Sequence, residues 1–309
     1  MNDGGNARKI SDWMRIFQEL YSDPDLKRTP EQIWLAIMAH CSLIGESIRK
    51  VNFLDLLKNA AHMFCWLCSY VNKCNQTKNS VFSFTEDLSE LVSLKYPLVC
   101  GHCKEARCHC DPTIMDEKKD KAADYKELLR RRKGIFAAVQ MYPIDEWQDA
   151  FQRIYSEQIH ILTLESIGFH FLEEVGEGAM AVRMLSQLRK IVDARIGGID
   201  IAFLNELITV EGIVENYRKY YKSEICYIKK EPDILKWRIV DAKMHMVIEI
   251  GDTFSWLCSI LNKLRLISKD NEFDLPSLEK KLNEEYFDEA GNSKCPTCEK
   301  KPCLCIFFS

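Results

Sequence analysis

The segment WRIVDAKMHMVIEIGDTFSWLCSILNKL, residues 237–264, carries the clearest structural pattern in the chain. Its apolar residues recur at steps of three, four and seven, as the buried stripe of a helix requires. The stripe consists of Val240, Met244, Val247, Phe254, Leu257 and Leu261. Strand signals are weak, because alternating runs are few and the chain has only 13 glycines. The sequence therefore predicts an all-α fold, a helical bundle.

Three segments recur in two halves of the chain in the same order. They are DWMRIFQELY (12–21) with EWQDAFQRIY (146–155), LIGESIRK (43–50) with EVGEGAMAVR (174–183), and FCWLCSYVNK (64–73) with FSWLCSILNK (254–263). The interval from the tryptophan of the third segment to a later tyrosine is identical in the two halves, from Trp66 to Tyr96 and from Trp256 to Tyr286. This order and this interval indicate an internal duplication.

Four cysteines with the spacing C-x2-C-x4-C-x-C close each half. They are Cys100, Cys103, Cys108 and Cys110 in the first half, and Cys295, Cys298, Cys303 and Cys305 in the second. Four thiols so close together have the ligand number and the short turn of a structural Zn²⁺ site. An iron–sulfur cluster and reduced cysteines without metal are the alternatives. The polar and charged spacers favour a metal, because they would expose unliganded thiols.

The duplication sets the expected domains, and 309 residues suffice for two. They are a helical domain with a zinc knuckle at 1–112, a helical linker at 113–143, and a second helical domain with a knuckle at 144–309. The interval from Glu177 to Trp256 is far longer than the matching interval from Glu46 to Trp66. We therefore expect an insertion near 184–236 that forms helices of its own or covers a site.

Charge and composition limit the classes of partner. A net charge of −4 and a pI near 6.0 give no sign of a nucleic-acid or anionic-membrane partner. The N-terminal residues lack the regions of a signal peptide, and no apolar run reaches about 18 residues. We expect a cytoplasmic chain without membrane association, whose 14 cysteines bind metal or stay reduced.

Two acidic pairs interrupt the apolar helical material of the second half. Glu174 and Glu177 are three residues apart, as are Glu249 and Asp252. Residues at this spacing share a helix face, so two such helices packed together would direct four carboxylates to one point. That arrangement suits a hard divalent cation. Ordinary surface or capping acids are the alternative interpretation.

The segments EEVGE (173–177) and EIGD (249–252) resemble the two signature segments of the MazG-like branch of the all-α nucleoside triphosphate pyrophosphatases. The resemblance implies tandem MazG-like bundles that form an internal pseudo-dimer. It implies Mg²⁺ (or Mn²⁺) held by Glu174, Glu177, Glu249 and Asp252, with Glu173 or Glu177 orienting the attacking water. It also implies hydrolysis of a (deoxy)nucleoside triphosphate to monophosphate and pyrophosphate, and further homo-oligomers.

Candidates for substrate binding lie near these motifs. Trp256 follows Asp252 by one helical turn, where it would stack on a base or fill the core. The candidate phosphate-binding cations are Arg183, Lys263, Lys280 and Lys281.

The resemblance weakens in the first half. The repeat alignment places Leu43, Asn59 and His62 opposite Glu174, Glu249 and Asp252, and leaves only Glu46 as an acid. We expect this half to lack the cation site and to support the second half. The alternative function is a non-catalytic helical scaffold or nucleotide sensor that binds a protein partner through its knuckles.

Overall fold

The computed structural model describes residues 7–110, 121–194, 201–222, 231–271 and 275–305. Within these ranges the chain forms helices and no strand, so the predicted all-α class is confirmed. The helices are α1 (Ile10–Leu20), α2 (Ser22–Lys27), α3 (Pro30–Arg49), α4 (Phe53–Gln76), α5 (Leu88–Lys95), α6 (Lys121–Val139), α7 (Ile144–Ile154), α8 (Ser156–Ile161), α9 (Leu164–Asp193), α10 (Ile201–Glu206), α11 (Val210–Lys222), α12 (Glu231–Asp270) and α13 (Leu278–Tyr286). None of the helices in these ranges combines the length and apolar character that crossing a membrane requires.

The order α1 to α5 recurs as α7, α8, α9, α12 and α13. Local contacts recur with it. Asn72 on α4 donates to the Met14 carbonyl at 2.8 Å, and Asn262 on α12 donates to the Gln148 carbonyl at 2.9 Å. The repeated tryptophan and phenylalanine of α1 and α7 are buried in both copies. The sequence repeat therefore corresponds to a repeat of packing.

The two halves meet along α3 and α9, which run antiparallel. The Trp34 ring lies against Gly178, and Ile48 lies against Gly168. The Trp34 indole N–H also donates to the Val175 carbonyl at 3.1 Å. Gly178 permits this approach because it has no Cβ, so the two backbones can lie on either side of one indole ring.

The helix that ends each half packs on the other half. Tyr96, at the end of α5, meets Phe151 of α7 with ring centroids 5.2 Å apart. Tyr286, at the end of α13, meets Phe17 of α1 at 4.9 Å. Both pairs are edge-to-face, the geometry that aromatic rings prefer. The halves thus exchange their C-terminal helices.

The cysteine clusters follow the same exchange. The first knuckle (Cys100–Cys110) donates a backbone hydrogen bond from Cys108 to the Ile154 carbonyl at 2.7 Å. The second knuckle (Cys295–Cys305) donates one from Cys303 to the Leu20 carbonyl at 2.8 Å. Each knuckle therefore covers the end of a helix that belongs to the opposite half.

The sulfur atoms of each knuckle lie close enough together to share one metal ion. Within each group of four, the Sγ atoms lie within 4.8 Å of one another. The closest pairs are 3.4 to 3.9 Å apart, near the roughly 3.8 Å separation that a Zn–S bond of about 2.3 Å implies for a tetrahedron. Partial burial would raise the pKa of Cys298, but backbone N–H groups of Leu304 and Lys300 lower it to about 6. These clusters fit Zn²⁺.

The described part of the insertion extends the bundle. Helices α9 and α12 are longer than α3 and α4, and α11 packs on α6 and on the start of α12. The rings of Tyr217 and Trp237 are 5.3 Å apart. Trp237 precedes Glu249 by about 18 Å along the helix, at the usual rise per residue. The described helices of this segment, α10 and α11, pack near the start of α12, away from the acidic pairs.

We expect purified protein to contain two zinc ions per chain, because each knuckle supplies four thiolates. Removing them with a strong chelator should lower the melting temperature, since each knuckle covers the opposite half and metal binding is part of its folding free energy. Elemental analysis and thermal unfolding measure both. Protein containing neither zinc nor iron would contradict the assignment.

Replacing Gly178 by Ala should destabilise the contact between α3 and α9, because the added Cβ would overlap the Trp34 ring. We expect a loss of about 1–3 kcal/mol in the free energy of unfolding. Gly134→Ala is the matched control, since its Cβ would meet no atom within 4 Å. That change should stabilise α6 by up to about 1 kcal/mol. Equal effects in urea unfolding would contradict this account.

Candidate functional site

Three glutamates from two helices converge in the second half. Glu174 and Glu177 lie on α9, Glu249 lies on α12, and carboxylate oxygens of all three are within 4.8 Å of one another. The spacing in sequence places the first two on one face, and the packing of α9 on α12 brings the third to them. Three of the four acids that the sequence offered as cation ligands therefore lie together.

The environment of these acids makes their negative charge costly. Glu249 is buried, and among the described residues its Oε2 atom has no hydrogen-bond partner. Burial, and then the nearby Asp252 carboxylate, raises the pKa of Glu249 to about 9 and that of Glu174 to about 7. A divalent cation would remove this cost, and carboxylate oxygens are the ligands that Mg²⁺ and Mn²⁺ prefer. The residues present fit such an ion.

Asp252, the fourth predicted ligand, is held by the first half of the chain. The Lys95 ammonium pairs with Asp252 Oδ2, and the Tyr96 hydroxyl donates to Asp252 Oδ1. Burial alone would lower the pKa of Lys95, but Asp252 outweighs burial and raises it. The sequence interpretation missed Lys95. The sequence feature that could have pointed to Lys95 is its position next to Tyr96, the tyrosine that matches Tyr286 in the repeat.

Trp256 lies beside the glutamates. Its indole N–H donates to Glu174 Oε1 at 3.2 Å, and its ring stacks on His170 with centroids 4.8 Å apart. Trp256 is half-buried, so part of the ring reaches solvent. Glu173 is exposed, with its carboxylate 3.5 Å from His170. His170 is thus a second residue that the sequence interpretation did not include.

The predicted phosphate-binding cations lie elsewhere. Lys263 donates to the carbonyls of Ile159 and His160 at 3.0 and 3.2 Å, so it caps α8. It lies about 21 Å beyond Glu249 along α12, at the usual rise per residue. These bonds explain why the sequence repeat includes a lysine here, since Lys73 binds the end of α2 in the same way.

The other candidate cations are also turned away from the glutamates. Arg183 is exposed and follows Glu174 on α9, half a turn round the helix and about 13 Å further along. Lys281 pairs with Glu285 at 2.8 Å in the first half's counterpart of the site, and Lys280 is exposed.

The counterpart of the acidic site differs from the one that the repeat alignment predicted. Thr29 caps α3 and Thr163 caps α9, so these two residues are equivalent positions of the two halves. Counted from these caps, Glu174 is equivalent to His40, and Glu177 is equivalent to Leu43. The earlier pairing of Glu174 with Leu43 and Glu177 with Glu46 was wrong by three residues. A shared Gly-Glu dipeptide, which stands at different helical positions in the two halves, caused the error.

In this counterpart a histidine faces an acid, where the candidate site has an aspartate facing a lysine. His62 takes the place of Asp252, and Glu285 takes the place of Lys95, with His62 Nε2 and Glu285 Oε2 3.6 Å apart. The His40 and His62 rings are 5.6 Å apart, and Asn59 donates to Ser47 Oγ at 3.1 Å. The residues that replace the four acids include no carboxylate, so the absence of a hard-cation site in this half stays a prediction.

A double-mutant cycle on Lys95 and Asp252 should reveal strong coupling. Lys95→Met leaves a buried carboxylate without its cation, so without divalent ions we expect a loss of about 3–5 kcal/mol in unfolding free energy. Adding Asp252→Asn should recover part of that loss. The exposed pair Arg265–Asp149, at 2.7 Å, is the control and should couple by less than about 1 kcal/mol. Equal coupling in the two cycles would contradict the burial argument.

The candidate site thus contains residues of both halves: three glutamates, Asp252 and Trp256 from the second, and Lys95 and Tyr96 from the first. The arrangement joins a set of oxygen ligands to an ammonium group and an aromatic ring. Comparison of the chain with sequence profiles of known protein families, with curated proteins and with solved structures found no match.

Proposed function

We propose that the chain is a Mg²⁺-dependent nucleotide pyrophosphohydrolase that converts a (deoxy)nucleoside triphosphate to monophosphate and pyrophosphate. The observation that carries the proposal is the convergence of Glu174, Glu177 and Glu249 beside Asp252. These are the residues on which the resemblance to the MazG-like family rests. A buried carboxylate oxygen without a hydrogen-bond partner among the described residues is costly unless a ligand satisfies it.

The three glutamates would hold the cation, with Asp252 as a further ligand. Bound there, Mg²⁺ would neutralise charge on the substrate phosphates. Glu177 is exposed and Glu174 is partly buried, so Glu177 is the better placed of the two to reach a water molecule from solvent. Glu173 keeps the alternative role of orienting that water, through its place at the outer edge of the cluster.

Two further groups would contact the substrate. Lys95 already bears its positive charge against Asp252, and the same ammonium would bind phosphate oxygens. The stacked Trp256 and His170 rings form an aromatic wall with one edge at Glu174. A nucleobase could stack on this wall, since every base presents a flat face.

In this proposal the chain is an internal pseudo-dimer of MazG-like bundles. The second half carries the ligands, and the first half supplies Lys95 and Tyr96 across the exchange of helices. The knuckles bind α1 and α7 within the chain, which gives them a role without any protein partner. The scaffold alternative is therefore less well supported than hydrolysis.

The test is a screen of nucleoside triphosphates for release of pyrophosphate and monophosphate in the presence of Mg²⁺ or Mn²⁺. Glu249→Gln and Asp252→Asn keep the shape of the side chains and remove a charge. We expect each change to lower turnover by at least about 100-fold, because both weaken cation binding. Titration calorimetry with Mg²⁺ should show the loss independently of activity.

Glu46→Gln is the control, since Glu46 is an exposed acid of the first half that pairs with Lys50. Its turnover and Mg²⁺ affinity should match those of the parent. If the parent hydrolyses no nucleotide with either cation, or if Asp252→Asn is as active as the parent, the proposal is wrong.

A further inference from the structure

A stripe with coiled-coil spacing runs along the outer face of both α3 and α9. The steps between its positions are four, three, four, three and four, which is the spacing of a heptad seam. On α3 the positions are Glu31, Leu35, Met38, Ser42, Gly45 and Arg49, and on α9 they are Glu165, Phe169, Leu172, Gly176, Ala179 and Arg183. Each stripe begins with an acid, continues with two large apolar residues and then two small residues, and ends with an arginine.

This stripe faces outward, although a heptad seam is normally buried. Phe169 is 73% exposed, Leu35 62% and Leu172 52%. A Cβ at Gly45 or Gly176 would meet no atom within 4 Å. Large side chains thus stand beside flat, open positions on one continuous surface, the α3–α9 face.

The α9 stripe is complementary to a reversed copy of itself. The pairs Glu165 with Arg183, Phe169 with Ala179 and Leu172 with Gly176 all have residue 174 as their midpoint. When two α9 helices pack antiparallel about that point, each large side chain meets a small residue and each acid meets an arginine. Glu165 and Arg183 are both exposed, so each is placed to pair with another molecule.

The α3 stripe has the same spacing about residue 40, except that Glu31 at its end is partly buried. Trp34 lies level with Gly178, and Ile48 lies level with Gly168, so residue 40 lies level with residue 174. A single twofold axis through that level would therefore serve both helices together. Such an isologous contact closes after two copies.

We propose that the α3–α9 face binds a second copy of this chain about a twofold axis, with α9 antiparallel to α9 and α3 antiparallel to α3. The apolar residues fill the centre of the interface, and the Glu165–Arg183 pairs close its ends. This interface does not depend on the hydrolysis proposed above.

Sedimentation equilibrium of the full chain with its zinc should give twice the 36.0 kDa mass of one chain. Leu172→Glu should give 36.0 kDa with an unchanged circular dichroism spectrum, because it places two charges in the centre of the seam. Ile161→Glu is the control, because Ile161 is 79% exposed and lies on α8, outside the α3–α9 face. This variant should stay dimeric.

Charge reversal tests the antiparallel register. Glu165→Arg should raise the dissociation constant of the dimer by at least about tenfold, because it sets two arginines against each other at both ends. Adding Arg183→Glu should restore the parent value, since the pair is rebuilt in reverse. A parent of 36.0 kDa, a parent larger than two copies, or a double variant as weak as the single one would overturn the proposal.

Discussion

The exchange of C-terminal helices between the halves is the constraint on which the rest of the structure depends. Helices α1 and α7 each bury a phenylalanine against the tyrosine that ends the other half. The same exchange carries each knuckle to the opposite helix end and brings Lys95 to Asp252. Each half therefore has a core and a polar cluster that are complete only in the presence of the other.

The two polar clusters occupy equivalent places in the two halves but contain different residues. Asp252 of the second half is paired with Lys95 of the first half. His62 of the first half, at the equivalent position, faces Glu285 of the second half. A cation beside the aspartate stabilises its charge, whereas burial lowers the pKa of His62 although the Glu285 carboxylate opposes that shift. Each half thus supplies one ionisable residue to the cluster of the other half, a lysine in one case and a glutamate in the other.

The helical class, the repeat and the cysteine clusters could be predicted from sequence, because apolar periodicity and ligand spacing are local properties. The glutamate pairs could be predicted for the same reason, since three residues of helix fix their common face.

The exchange of C-terminal helices could not be predicted, because the sequence of α5 or α13 does not show whether the helix packs on its own half or on the other. Lys95 was missed for that reason. Lys263 was misassigned because a lysine that caps a neighbouring helix looks, in sequence, like one that binds phosphate. The register of α3 and α9 depended on their threonine caps rather than on the short Gly-Glu match.

The exchange also decides how the chain must fold. The ion pair between Lys95 and Asp252 joins residues 157 positions apart, and the bond from Cys303 to Leu20 joins the two ends of the described chain. Contacts of such long range carry a large loop-closure entropy and slow the search for the native state. During synthesis, α1 would leave the ribosome long before α13 and the second knuckle, which cover part of it. Its contacts with α4 and α5 can form within the first half, but the surface that meets Tyr286 and the second knuckle stays uncovered until those residues are made. An apolar surface exposed for that time favours aggregation.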